Sequence, residues 1–152
     1  MIRVMKLGDW VDFSQRVGTV APELRESAAK SVYDLAVETR AYILWKIASH
    51  GFSVARLRPS TVARKGHATP FINTHGYVEH IAVLEDPEGF RVGFEETARN
   101  PVGKLYGDIA NELEYGNSRM KPRPHWQPTA RWVGTRVPGV GASVLSRVSR
   151  GG

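Results

Sequence analysis

Five histidines, His50, His67, His75, His80 and His125, are the first side chains to test for chemistry, because imidazole serves both as a zinc ligand and as a proton acceptor near neutral pH. His75 and His80 stand closest, five apart around Gly76, with Glu79 as the neighbouring carboxylate. That spacing belongs to no zinc pattern and reads as surface or interface histidines. The chain has no cysteine, which removes thiolate nucleophiles, disulfides and Cys-ligated metals. Glu112 and Glu114 lie two apart on a helical run, so they sit on different faces and cannot share acid and base roles. Gly139-Val140-Gly141 begins like a dinucleotide loop but lacks the third glycine, a preceding strand and a downstream acid. Neither a Gly-x-Ser-x-Gly elbow nor a phosphate loop occurs. The expectation is a chain that is not an enzyme and uses no metal or cofactor.

The charged residues are more informative. The net charge is +6, yet residues 1–114 hold 14 Lys and Arg against all 15 Asp and Glu, while residues 115–152 hold seven basic groups and no acid. Thr39 to Val78 is also free of acid and carries Arg40, Lys46, Arg56, Arg58, Arg64 and Lys65. Arg56, Arg58, Arg64 and Lys65, with Arg119, Lys121, Arg147 and Arg150 further on, are candidates for contact with phosphate or with an acidic protein face. A solvated basic tail is the plain alternative.

The elements that must position these groups can be read from spacing. A chain of 152 residues suits one domain. No signal peptide or long apolar run is visible, so a soluble protein made in a cytoplasm, without membrane contact, is expected. Trp10, Phe13 and Val17 fit a short helix ending at Gly18. Leu24, Ala28, Val32, Leu35, Ala36, Thr39, Ile43 and Ile47 form one stripe, which predicts a helix over 22–50, about 43 Å long. Trp45 on that helix is expected in the core. Phe52 to Thr74 shows no period and reads as a long loop. Tyr77–Leu84 and Phe90–Glu95 read as a hairpin around Pro87 and Gly89, with Phe90, Val92 and Phe94 on the face toward the long helix. Asn100-Pro101 reads as the start of a second helix that stops at Gly116.

From Leu113 to Ala130 that helix gives way to Glu114-Tyr115-Gly116-Asn117-Ser118 and then Pro122-Arg123-Pro124-His125-Trp126-Gln127-Pro128-Thr129-Ala130. Three prolines and a run of basic residues predict a stiff, extended, basic arm. After Ala130, Gly134, Pro138, Gly139 and Gly141 read as helix breakers, so 131–152 reads as a Gly/Arg-rich tail beyond a single domain of 1–130. The expected class is α+β: a long N-terminal helix on a small antiparallel sheet, a second helix, and an extended basic C-terminal arm.

The same residues resemble the signature of the tail-completion and head-tail joining (neck) proteins of long-tailed bacteriophages: Glu-Tyr-Gly-Thr-Ser followed by a Pro-x-Arg-Pro-Phe-Leu-x-Pro-Ala segment. A second landmark of that family resembles Phe71-Ile72-Asn73-Thr74-His75-Gly76-Tyr77-Val78-Glu79-His80-Ile81. Here His125-Trp126 replaces Phe-Leu and Thr129 replaces Ala. The resemblance spans Pro22 to Ala130. It implies a structural virion protein at the neck or tail that forms a ring, in the form of a hexamer. Its implied partners are other copies of itself, the connector or head-completion protein, the tail tube or tail terminator protein, and DNA passing through the ring.

By the same resemblance Glu114, Tyr115 and Gly116 are the turn that aims the arm. Met120, Arg123, Pro124, Trp126, Pro128 and Trp132 are expected on the arm's contact with a neighbouring subunit or tail ring, tryptophan and arginine being common interface anchors. Family members often finish with a helix after the Pro-rich motif; the breakers here predict that it is short or absent. Two other classes fit the residues: a small basic DNA-binding protein, whose salt dependence Arg147 and Arg150 would set, and a monomeric regulatory protein that binds one partner through its tryptophans.

Overall fold

The stripe beginning at Leu24 has the period of a helix that buries one face, and a helix forms there. The computed structural model describes residues 22–68, 70–71, 76–87 and 89–150, with the side chains of residues 23 and 147–150 excepted. The short helix expected around Trp10 lies outside these residues. Helix α1 runs Pro22–Ala48 and buries Leu24, Ala28, Leu35, Ala36, Thr39, Ile43 and Ile47. Thr39 sits in this apolar row because its hydroxyl donates to the Leu35 carbonyl at 2.7 Å, which satisfies it locally. His50 closes the helix in the left-handed region (φ 53°), and the Gly51 N–H donates to the Lys46 carbonyl.

The described part of the segment from Phe52 to Thr74 is less irregular than its composition suggests. Pro59 opens a two-turn helix, α2 (Pro59–Lys65), and Gly66 ends it at φ 77°, donating to the Val62 carbonyl. Gly76–Glu79 forms the single turn α3, which takes Tyr77 out of the expected strand. The hairpin then forms from β1 (Ala82–Asp86) and β2 (Gly89–Gly93), paired antiparallel from Ala82↔Gly93 to Asp86↔Gly89. Val92 and Phe94 are buried beneath α1. Arg40 ties helix to sheet by donating from Nε to the Ile81 carbonyl at 2.7 Å.

Asn100-Pro101 does not start the second helix. The Asn100 side chain instead accepts from the backbone N–H groups of Val102 and Lys104, closing a loop. Helix α4 begins later, at Tyr106, and ends at Tyr115.

The extended arm and Gly-rich tail are not what forms. Helix α5 runs Trp126–Arg150, with Pro138 inside it, and packs along α1. Trp126, Thr129, Val133 and Val144 are buried, with Val137 and Val140 half-buried against the core. Their spacing of three and four is that of one helical face. Val144 closes a small cluster with Leu24 and Ala28. Pro128 falls in the first turn, where its missing N–H costs nothing. Packing on α1 outweighs the low propensity of Gly134, Gly139, Gly141 and Pro138, together about 6 kcal/mol relative to alanine. The last helix is therefore present and long. No described helix is long and apolar enough to cross a membrane.

Candidate functional site

Glu114 occupies the last turn of α4, and its side chain is only 1% exposed. A buried carboxylate needs partners, and the start of α5 supplies them. Oε2 accepts from the backbone N–H of His125 at 2.8 Å and of Trp126 at 3.0 Å. Oε1 accepts from the N–H of Gln127 at 2.9 Å. These are donors that the first turn of any helix leaves without an internal acceptor, and the carboxylate also sits at the positive end of the α5 dipole. Glu114 thus caps α5 from a different helix.

Gly116 makes the connection possible. It has φ 76° and ψ 179°, a region open to glycine almost alone, and a Cβ there would lie 2.7 Å from the Met120 carbonyl oxygen and 2.8 Å from Pro122. Asn117 then folds the loop back, its side chain accepting from the N–H groups of Arg119 and Met120, both at 2.9 Å. The Arg123 N–H returns to the Leu113 carbonyl at 2.6 Å. The motif is a stitched joint between α4 and α5.

Behind Glu114, His125 is completely buried. Its Nε2 lies 2.6 Å from the Tyr77 hydroxyl, and the Trp126 indole N–H donates to that same hydroxyl oxygen at 3.3 Å. Nδ1 faces only acceptor oxygens, so it carries the imidazole proton and Nε2 accepts from the Tyr77 hydroxyl. Nδ1 donates to the Arg123 carbonyl at 3.1 Å, with Glu114 Oε2 at 3.4 Å. Burial pushes the His125 pKa down to about 4, against the opposing pull of the Arg123 carbonyl and the Glu114 charge. Burial also raises the Tyr77 phenol well above its usual range, so it stays protonated.

This has a testable sign. The folded state holds His125 neutral while the unfolded chain protonates it near pH 6.5, so stability is fully present above that pH and falls as pH drops toward 4. Between pH 7 and pH 5 the loss attributable to His125 is on the order of 2 kcal/mol. Urea titrations at the two pH values should show it in the native chain and not in His125→Gln.

The second feature is a groove of about 1070 Å³. The segment after α1 contributes Arg56 and Arg58, and α2 contributes Arg64 and Lys65. The loop after α4 contributes Arg119 and Lys121, and Arg123 lies between the two sides. Arg123 is buried and donates from Nε to the Ala55 carbonyl at 3.0 Å, across 68 residues of chain. None of the described lining residues is acidic. Lys65 has its pKa lowered, first by burial and then by the Arg123 and Arg64 charges.

A third feature is aromatic. Trp45 is 60% exposed, opposite to the expectation of a core position, because it lies off the stripe that holds Ile43 and Ile47. Tyr42 stacks on Trp132 with centroids 4.1 Å apart and planes 7° apart, and lies 6.3 Å from Trp45. Lys46 Nζ stands 5.3 Å from the Trp45 ring and the Arg136 guanidinium 5.0 Å from Trp132. Trp126, expected on a partner's surface, is instead 4% exposed in this chain's own core, and Arg123 is likewise folded inward. Met120, Pro124, Pro128 and Trp132 are half-buried, and Tyr115 is exposed.

The structure thus gathers six of the eight basic candidates, Arg56, Arg58, Arg64, Lys65, Arg119 and Lys121, into one groove. Arg147 and Arg150 lie at the far end of α5, with side chains outside those described. His80 is exposed, with Nδ1 2.7 Å from the Gly76 carbonyl oxygen and its ring stacked on Tyr106, and residues 72–75 lie outside the description. Among the described residues no group of three His, Asp or Glu is placed to hold a metal. Compared with known proteins, the chain matches no family profile, no curated protein and no solved structure.

Proposed function

We propose that the chain is a structural virion protein of a tailed bacteriophage: a ring-forming neck or tail-completion protein that joins the capsid connector to the tail. The observation that carries this reading is the joint. The residues that resemble the family signature, from Glu114 to Thr129, are those that cap, turn and bury the α4–α5 connection. They follow a long helix and a hairpin in the order the resemblance implies, and a final helix follows them. The ring contact then falls not to Trp126 or Arg123, which are held inside the chain, but to the exposed Trp45 with Tyr42 and Trp132 beside it. Tryptophan and tyrosine framed by cations are the residue types that dominate interface energetics. A hexameric ring uses two different patches on each subunit, so one substitution weakens every contact in it.

Native mass measured across protein concentration tests this. The full chain should pass from monomer to hexamer, and Trp45→Ala should shift that transition at least tenfold upward in concentration, a loss of about 1.4 kcal/mol per contact. Trp45 is exposed and off the core stripe, so the variant should keep the native helix content. A monomer at all concentrations would favour the small DNA-binding or single-partner readings instead.

A further inference from the structure

The basic groove has chemistry that the ring reading does not use. Its cations come from two acid-free stretches, 55–65 and 119–123, brought together by the Arg123 bond to the Ala55 carbonyl. Placing seven positive groups around one cleft of about 1070 Å³ is unfavourable in the absence of an anion. Among the described residues, no carboxylate stands at ion-pair distance from Arg58, Arg64, Arg119 or Lys121.

We infer that this groove binds the sugar-phosphate backbone of duplex DNA, without reading sequence. Six guanidinium and ammonium groups beside Arg123 are more than a single phosphate takes, since each phosphate takes one or two such donors, and they suit a row of phosphates. Among the described residues the lining carries no aromatic ring: its apolar members are Ala55, Leu57, Pro70, Met120 and Pro122. Base stacking, which single-strand binders rely on, therefore has no platform here. The loop side is also pre-ordered. Asn117 fixes the 117–120 turn, so Arg119 and Lys121 are presented with little ordering cost. Arg123 acts as a positioning residue, its guanidinium already engaged with backbone. The inference does not depend on a ring, since a monomer can bind DNA and a ring can form without it.

The test is fluorescence anisotropy of the full chain with a labelled DNA duplex, between about 50 and 200 mM salt. With about five phosphates neutralised, affinity should fall roughly 500-fold over that range, a log–log slope near −4.5. The double variant Arg64→Ala/Arg119→Ala removes one cation from each side and should reduce the slope by about 2. Arg25→Ala/Lys30→Ala, which removes two exposed charges from α1 outside the groove, should leave it unchanged. Two duplexes of unrelated sequence should bind alike, and single-stranded DNA of equal length should bind with a shallower slope.

The inference is overturned if the duplex does not bind at the lowest salt, if the groove variant keeps the native slope, or if the α1 variant lowers it equally. It is also overturned if polyglutamate of matched charge displaces the duplex at equal concentration, which would make the groove a site for an acidic protein segment. Circular dichroism and thermal midpoint of each variant, unchanged within a few degrees, separate lost binding from lost fold.

Discussion

Glu114→Ala should lower stability by about 4 kcal/mol. The native carboxylate is buried and accepts three backbone N–H groups, two on Oε2 and one on Oε1. Alanine leaves the buried N–H groups of His125 and Trp126 without a partner, at a cost of about 1–3 kcal/mol each, and removes the part-buried bond from Gln127 as well. The cap is also charged, so its bonds are stronger than neutral ones. A chain of this length loses roughly 2–4 °C per kcal/mol, so the thermal midpoint should fall by roughly 8–16 °C. Glu114→Gln keeps the shape but turns one acceptor into a donor aimed at other donors, and should cost somewhat less than alanine. A midpoint within 2 °C of native for Glu114→Ala would show that the joint does not hold α5.

Gly116→Ala is the second. At φ 76° and ψ 179° a side chain adds strain of about 1–3 kcal/mol. Here the new Cβ also meets backbone rather than a movable side chain, at 2.7 Å from the Met120 oxygen and 2.8 Å from Pro122 N. The two effects together should cost about 3 kcal/mol or more. Gly103→Ala is the internal comparison. Its φ is 82°, but nothing lies within 4 Å of the added Cβ, so strain alone acts and the cost should be about 1 kcal/mol. Equal losses at the two glycines in denaturant titrations would mean that the close approach at Gly116 is relieved without cost.

Much of this architecture is legible in the sequence. The stripe from Leu24 to Ile47, the hairpin around Pro87 and Gly89 and the stop at Gly116 rest on local rules, period and turn chemistry, that tertiary packing did not override. Helix α5 shows the limit. Its apolar positions 126, 133, 137, 140 and 144 already carry helical spacing, but Gly134, Pro138, Gly139 and Gly141 argue for a break when propensity is weighed alone. What decides is the face offered by α1, where Val133 and Val144 are buried; no local rule contains that term.

The two tryptophans misjudged from sequence have different causes. Trp126 lies between prolines and looks external, yet it begins a helix and enters the core. Trp45 lies in a helix and looks internal, yet it is two residues from both Ile43 and Ile47 and so points away from their face. That offset was readable. The groove was readable only in halves: each basic stretch stands out by composition, while their union is a matter of tertiary packing, marked by the long-range bond from Arg123 to Ala55.

The ring is the centre of the account, and imaging tests it most directly. Negative-stain micrographs of the largest species in a concentrated solution of the full chain should show end-on views with sixfold symmetry and an open centre, and Trp45→Ala at the same concentration should show none. Fields of single small particles for the native chain, or rings unchanged by Trp45→Ala, would contradict the account: the first removes the ring, the second removes the aromatic patch from its subunit contact.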